Sequence, residues 1–535
     1  MLRKLKYLLL IYIIIQAPVF VFAQEAEVLL QQVTKSAAAV KYAEQNITAN
    51  ELKKIIYTLA SDEFEGRETG EKGEKLAADY IADYFQKANI PPYEGTYFQE
   101  FNLTIEYPEN VTITAGGKEY KFMQDFYFFR GFGDTVINHN QIVFAGYGID
   151  DEVYTDYKDK KSLEGKILMV LSGEPKEKKG NYILSGTKIP SEWTSNWRKK
   201  ANAARQNNAA ALLIVTDNFS ENIERYEHQL TTPGTQLTGT TRQSAGMPVI
   251  YISPSMADKI LGPANLTVKK MRTGLEKKNI SNVVVNQPVS LNINRKKDIK
   301  TGSNVIAYIE GTDLKDELIV LTAHYDHLGI IDGKIYNGAD DNASGTAAIM
   351  TIAAAFAQAK SNGNAPRRSV LVMPVSGEEK GLFGSRFYVE NPLFPLEKTI
   401  ANLNTDMIGR IDTAYKDDPN YIYLIGSDRI STDLHLLSEN VNSTYSNLKL
   451  DYTFNSDDDP NRFYYRSDHY NFAKNDIPVI FYFNGVHEDY HEHTDTPDKL
   501  HYGKIENIGR LIFYTAWELA NMGEPLIKDK LKENQ

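Results

Sequence analysis

Residues 320–345 hold the densest chemistry in this chain. An apolar run, Leu318 to Ala323, ends in His324-Tyr-Asp326-His327, and Asn337-Gly-Ala-Asp340-Asp341-Asn342-Ala-Ser-Gly345 follows. His and Asp are metal ligands and acid–base groups, yet Gly, Asn and Asp are equally the residues of a solvated turn. More stretches of the same kind decide between the two. Gly377-Glu378-Glu379-Lys-Gly381 and Asp406-Met407 each follow an apolar run, Ser467-Asp468-His469 opens a short helix, and His487-Glu-Asp-Tyr490-His491-Glu-His493 comes after a further run. Six of the ten histidines lie in these stretches, so composition alone does not place them there. Donors drawn only from His and carboxylates suit two divalent cations that share one carboxylate. Three ligand carboxylates and a hydroxide would balance two such cations, and neutral imidazoles would complete the shells.

The elements that must position these groups alternate from residue 303 onward. Strands are expected at 303–309, 317–323, 368–376, 399–406, 421–426 and 477–483, and helices at 345–360, 380–390, 431–444, 467–475 and 504–522. This is the pattern of an α/β sheet with helices on both faces, which binds ligands at the carboxyl ends of its strands. Ahead of it, Thr48-Ala-Asn-Glu51 is a capping box, and a helix with Leu76, Ala77, Tyr80, Ile81, Tyr84 and Phe85 on one face stops at Pro91-Pro92. The texture changes near residue 135. Strand-like runs at 141–148, 165–171, 210–215 and 247–252 carry no clustered His and carboxylate set, and 135–297 reads as a domain inserted into another.

In order, His324-x-Asp326, Gly338-Ala-Asp-Asp-Asn-Ala-Ser-Gly345, Gly377-Glu-Glu-Lys-Gly381, Asn404-Thr-Asp-Met-Ile-Gly409 and Tyr490-His-x-x-x-Asp-Thr496 resemble the co-catalytic di-zinc exopeptidases. These are the bacterial leucyl aminopeptidases, aminopeptidase Y and the glutamate carboxypeptidase group. Glu65-Gly-Arg-Glu-Thr-Gly70 also looks like their N-terminal segment, and the inserted region resembles a protease-associated domain. The resemblance implies a zinc-exopeptidase-like mixed α/β sheet covered by helices on both faces, with a β-rich α/β protease-associated insertion. It implies two zinc ions, with His324 and Asp406 on one, Glu379 and His491 on the other, and Asp341 bridging through a residue whose bond to Asn342 is cis. Asp326 would orient His324, and Glu378 would be the general base acting on a zinc-bridging water. Tyr464 or Tyr465 would donate to the oxyanion. On residue chemistry alone, Asp340 competes for the bridge and His493 for a ligand position.

Met407 directly after Asp406 resembles the aminopeptidase branch, which implies hydrolysis of N-terminal residues from peptide substrates. A carboxypeptidase would need an Arg for the substrate carboxylate, and Arg410, Arg462 and Arg466 are available. A glutaminyl cyclase and an inactive receptor-like binding protein are the remaining alternatives; intact ligand positions speak against the last.

Composition narrows the class further. The net charge of −11 comes without a basic block, which argues against a nucleic-acid partner. With no cysteine in 535 residues, thiol catalysis, disulfides and cysteine-based zinc sites are excluded. Arg3, Lys4 and Lys6, the apolar run Leu8 to Ile15 and Val21-Phe-Ala23 form a signal peptide over 1–23. The chain is therefore expected to be exported to the periplasm or the extracellular space, with no stable membrane span after cleavage. The expected layout is 24–134 and 298–525 for the peptidase domain, 135–297 for the insertion and 526–535 for a tail.

Overall fold

The computed structural model describes residues 33–531 apart from 159, 178, 240–245 and 277–281. The expected signal peptide lies outside the described residues. Two compact units divide the chain: residues up to Leu103 together with those from Lys300 onward, and Thr104–Ile299 between them.

The first unit is built on a seven-stranded sheet. Its order is Ala307–Ile309, Arg368–Val375, Leu314–His324, Thr399–Thr405, Val479–Phe483, Tyr421–Ile425, Lys449–Asp451. The four strands from Arg368–Val375 to Val479–Phe483 run parallel, and the antiparallel pairs fall outside them. Arg368–Val375, Val479–Phe483 and the Leu318–Ala323 part of Leu314–His324 are largely apolar because helices cover both of their faces, whereas Thr399–Thr405 buries Asn402 and Asn404 as well. The Ala-rich helix Gly345–Ser361 is buried along most of its length. It packs in one core with Ala37–Asn46, Ala49–Leu59 and Tyr502–Asn521, where Phe356 and Trp517 stack. Small side chains are what allow a helix to sit that deep between neighbours. The expected strands and helices of this unit all occur, within a few residues of their expected ends. Lys449–Asp451, a short edge strand, carries too few residues to show a period.

The second unit has its own core and its own sheet, with the order Lys118–Lys121, Phe98–Ala115, Val283–Val305, Thr135–Phe144, Ile167–Leu171, Ala211–Val215, Val249–Ile252, Phe126–Tyr127. It begins at Thr104 instead of near residue 135. The reason is physical: Phe98–Ala115 is one continuous strand that crosses the boundary with no turn or loop, so nothing local marks where it changes unit. The helices Phe219–Thr231, Pro254–Leu261 and Val268–Glu276 were not anticipated. No helix among the described residues is long and apolar enough to cross a membrane.

Candidate metal centre and active site

Three parallel strands end at or within four residues of an expected donor, and loops supply the other two. His324 is the last residue of Leu314–His324, Glu378 and Glu379 follow Arg368–Val375, and Asp406 follows Thr399–Thr405. His491 lies in the loop after Val479–Phe483. Asp341 lies in a tight turn, Ala339–Ser344, with a cis bond to Asn342 as the resemblance implies.

Two donor groups form around Asp341. His324 Nε2 is 3.3 Å from Asp341 Oδ1 and 3.2 Å from Asp406 Oδ1. His491 Nε2 is 3.2 Å from Asp341 Oδ2 and 3.3 Å from Glu379 Oε2. The two oxygens of Asp341 thus serve different groups, as a bridging carboxylate must. A further member, His327, was not singled out from sequence. Its Nδ1 lies 2.9 Å from Glu379 Oε1 and 3.9 Å from Asp341 Oδ2, and its ring is fully buried. Gly338 makes room for that ring, since a Cβ there would sit 2.5 Å from His327 Cγ. The signal for His327 was its place in His324-x-Asp326-His327, where the turn after the strand points it back at the same site.

The electrostatics ask for positive charge. His324 donates through Nδ1 to the Asp326 carbonyl at 3.1 Å, so a bare Nε2 lone pair would face two carboxylates. Burial opposes charging His324, yet Asp406 and Asp341 outweigh it and hold its pKa well above the usual imidazole range. Burial likewise opposes a charge on His491, but Asp341 and Glu379 push it up to about 10. Burial and the neighbouring Asp341 would raise Glu379; His327 and His491 hold it down to about 2. Glu378 behaves in the opposite way. Burial lifts it well above the carboxylate range, His324 only partly opposes this, and Glu379 and Asp406 add to it. Protons are holding places that divalent cations would fill, so the donor set fits a pair of metal ions.

The surrounding layer departs from expectation in several places. Asp326 orients His324 through its backbone carbonyl; its carboxylate stands 3.7 Å from the ring and accepts instead from Thr69 Oγ1 and Glu378 N–H. Asp340 turns away from the bridge, with Oδ1 accepting from Gly409 N–H at 2.6 Å and Oδ2 3.3 Å from His487 Nε2. His493 packs on Tyr336. In Ser467-Asp468-His469, only Ser467 touches a donor, giving its hydroxyl proton to Asp406 at 2.8 Å. His469 stacks on Phe481, and burial drops it to about 3, a neutral core histidine.

Tyr464 is corrected as an oxyanion donor. Its ring lies under Arg429 and against His469 and Tyr470, outside the cavity beside the donors. Tyr465 is exposed under Arg462. The tyrosine that lines the cavity is Tyr490, which stacks on His491 at 3.9 Å and accepts from Arg466 Nη2 at 3.1 Å. The cavity, about 40 Å³, is also lined by Met407, Phe463, Phe481, Phe483 and Val486.

Two remote residues hold the loop in shape. Arg67 is fully buried and donates to the carbonyls of Leu59, Tyr325, Asn337 and Gly338. Asp495 accepts from the N–H groups of Asp340 and Asp341.

The two His/carboxylate groups at one end of this α/β sheet have the donor types and spacing to hold metal ions. Residues 304–516 match the profile of peptidase family M28, the family to which this part of the chain is similar. A "probable zinc metalloprotease" of Pyrenophora teres f. teres is 27% identical over 266 residues, 41% of this chain and 52% of that one. Leucine aminopeptidase 2 of Arthroderma otae is 30% identical over 274 residues, 46% of this chain and 50% of that one. A "probable glutamate carboxypeptidase" of Arabidopsis thaliana is 28% identical over 365 residues, 61% of this chain and 47% of that one. The chain therefore spans about half the length of these relatives.

Proposed function

We propose that the chain is an exported di-zinc aminopeptidase whose insertion is a protease-associated domain. Asp341 carries the reading: its two oxygens face two separate donor groups while Glu378 stands beside them without a ligand's contacts. His324, Asp341 and Asp406 would hold one zinc, and Asp341, Glu379 and His491, joined by His327, the other. When bound, the ions would acidify a shared water and polarise the scissile carbonyl. Glu378 would serve as the proton carrier of the reaction, accepting a proton from the attacking water and returning it to the leaving amine. Its amide N–H is fixed on Asp326, so the carboxylate is delivered to one place. Tyr490 replaces Tyr464 as the hydroxyl that donates to the developing oxyanion. The aromatic and aliphatic wall favours an apolar side chain on the N-terminal residue of the substrate.

Arg466 supports a second reading. Of the three arginines considered for a carboxypeptidase, it alone lines the cavity; Arg410 is bonded to Asp489 and Glu488, and Arg462 covers Tyr465. A panel of aminoacyl and N-acetylated peptides separates the two. The aminopeptidase reading requires a free α-amino group, and trimming of N-acetylated peptides from the carboxyl end overturns it. Metal analysis tests the centre itself. Purified protein should hold two zinc per chain, Asp341→Asn should impair both sites, and His491→Ala or His327→Ala should mainly empty one. Saturation at one zinc with full activity would sink the di-zinc reading.

A further inference from the structure

The second unit contains a cavity of about 600 Å³ that the peptidase chemistry does not use. It opens where open α/β sheets take ligands, at the carboxyl ends of parallel strands. Thr135–Phe144, Ile167–Leu171, Ala211–Val215 and Val249–Ile252 run parallel in that order. Ser172 and Gly173, directly after the second strand, and Thr216, directly after the third, form its floor.

Its walls are aromatic. Tyr127 and Tyr251 stack face to face, with centroids 4.8 Å apart and planes 5° from parallel. Trp197 meets Tyr251 edge-on, and Phe129 meets Tyr226 the same way at 5.3 Å. Burial pushes Tyr127 up to about 12 and Tyr251 higher still, so both hydroxyls stay protonated donors.

Its charge is one-sided. Arg130, Arg198 and Lys200 line it, and no Asp or Glu does among the described residues, in a chain whose net charge is −11. Two carboxylates on adjoining segments are committed elsewhere: Glu174 accepts from Ser191 and Thr194, and Asp217 from Arg272. Lys200 is 2% exposed and gives its protons to the carbonyls of Tyr147 and Gly173. Its hydrogen-bond partners are neutral, and burial drops it to about 8 although Asp156 and Glu174 pull the other way. Arg130 also donates to a carbonyl, that of Thr232. Arg198 spreads over the Trp197 ring at 5.1 Å in the first turn of Trp197–Gln206, the positive end of that helix.

We propose that this cavity is a binding site for an aromatic carboxylate, a small anion with one planar ring system. The ring would lie against the aromatic walls and the carboxylate would meet the Arg198 guanidinium, whose two-pronged donor geometry matches it. Hydroxyls and amides of Thr194, Ser195, Asn222 and Gln229 border the remaining space. The volume falls within the range of small-molecule sites. This assignment stands independently of the reaction in the first unit, because every lining residue lies between Tyr127 and Tyr251.

The probe is indole-3-acetate, titrated calorimetrically into the full chain before and after zinc removal. Indole-3-acetamide keeps the ring without the charge, and inorganic phosphate keeps the charge without the ring. One indole-3-acetate should bind per chain with Kd below about 1 mM, whether or not zinc is present. The acetamide and phosphate should each bind about tenfold more weakly or worse. Arg198→Gln and Tyr226→Ala, both with wild-type melting temperatures, should each lose about tenfold. Should either variant fail to fold, Arg198→Lys, with its charge kept and the fork lost, should lie between wild type and Arg198→Gln. No saturable binding overturns the proposal, as does binding lost with zinc. Phosphate binding as tight as indole-3-acetate, or variants that leave affinity unchanged, would overturn it too.

Discussion

Two adjacent glutamates with opposite electrostatic fates form the centre of the proposed chemistry. Glu379 has two imidazoles on its oxygens and stays ionised; Glu378 has no such partner and is pushed toward its protonated form by burial. A side chain that holds a metal must be the first kind, and one that moves a proton the second. Glu378→Gln preserves size and amide geometry but cannot accept a proton. It should keep two zinc per chain and lower kcat by about 10² to 10⁴, with metal content and steady-state rates measured on the same preparation. Near-normal kcat in a metal-replete variant would remove Glu378 from the mechanism. The candidate donors stood out in sequence because they cluster in His- and carboxylate-rich loops that follow strand-like runs. His327 has no role assigned from sequence, and the expectation of Tyr464 or Tyr465 rests on their place just before Ser467-Asp468-His469, which says nothing about which ring faces the cavity.

At the level of elements, the site depends on how the N-terminal helices grip the first strand and its loop. Arg67 does this through three carbonyls, those of Tyr325, Asn337 and Gly338, and Thr69 through the Asp326 carboxylate. Such contacts span more than 250 residues of sequence, so no local pattern announces them, although the Glu65–Gly70 stretch could be singled out by resemblance. Gly66 shows how close the grip is. Its φ is +69°, and a Cβ would lie 2.5 Å from the carbonyl oxygens of Gly329 and Tyr336. Glu74, in the helix Lys72–Lys87, is buried under the Tyr325 hydroxyl at 2.7 Å and the Ser303 N–H at 3.1 Å. Burial exceeds the help from those bonds and raises its pKa from 4.5 to about 7. Between those values the folded state holds a proton that the unfolded state lacks. The resulting stabilisation is complete below 4.5 and is lost as pH rises through 7. Glu74→Gln should therefore stabilise the protein at pH 8 by on the order of 3 kcal/mol relative to wild type, and by little at acid pH. Urea midpoints across that range give the answer; a wild-type–variant difference that is flat with pH would reject it.

On the scale of the whole molecule, the chain leaves the first unit once and returns once. The outgoing strand Phe98–Ala115 and the returning strand Val283–Val305 are neighbours in one sheet, and within the first unit Thr301 Oγ1 donates to Asn102 Oδ1 at 2.9 Å. The two cut ends at Leu103 and Lys300 are thus held side by side by residues that an excision would leave in place. Every metal donor, the Arg67 and Asp495 braces and the core around Gly345–Ser361 belong to the first unit. Replacing 104–299 by a short Gly-rich bridge should therefore give a protein that unfolds cooperatively and still binds two zinc per chain. Closing so short a loop costs little entropy compared with the long one it replaces. Zinc stoichiometry by elemental analysis and a calorimetric melting curve decide the matter. A folded excision product without zinc would mean that the centre needs the second unit, and that the independence of the two cores does not extend to the site.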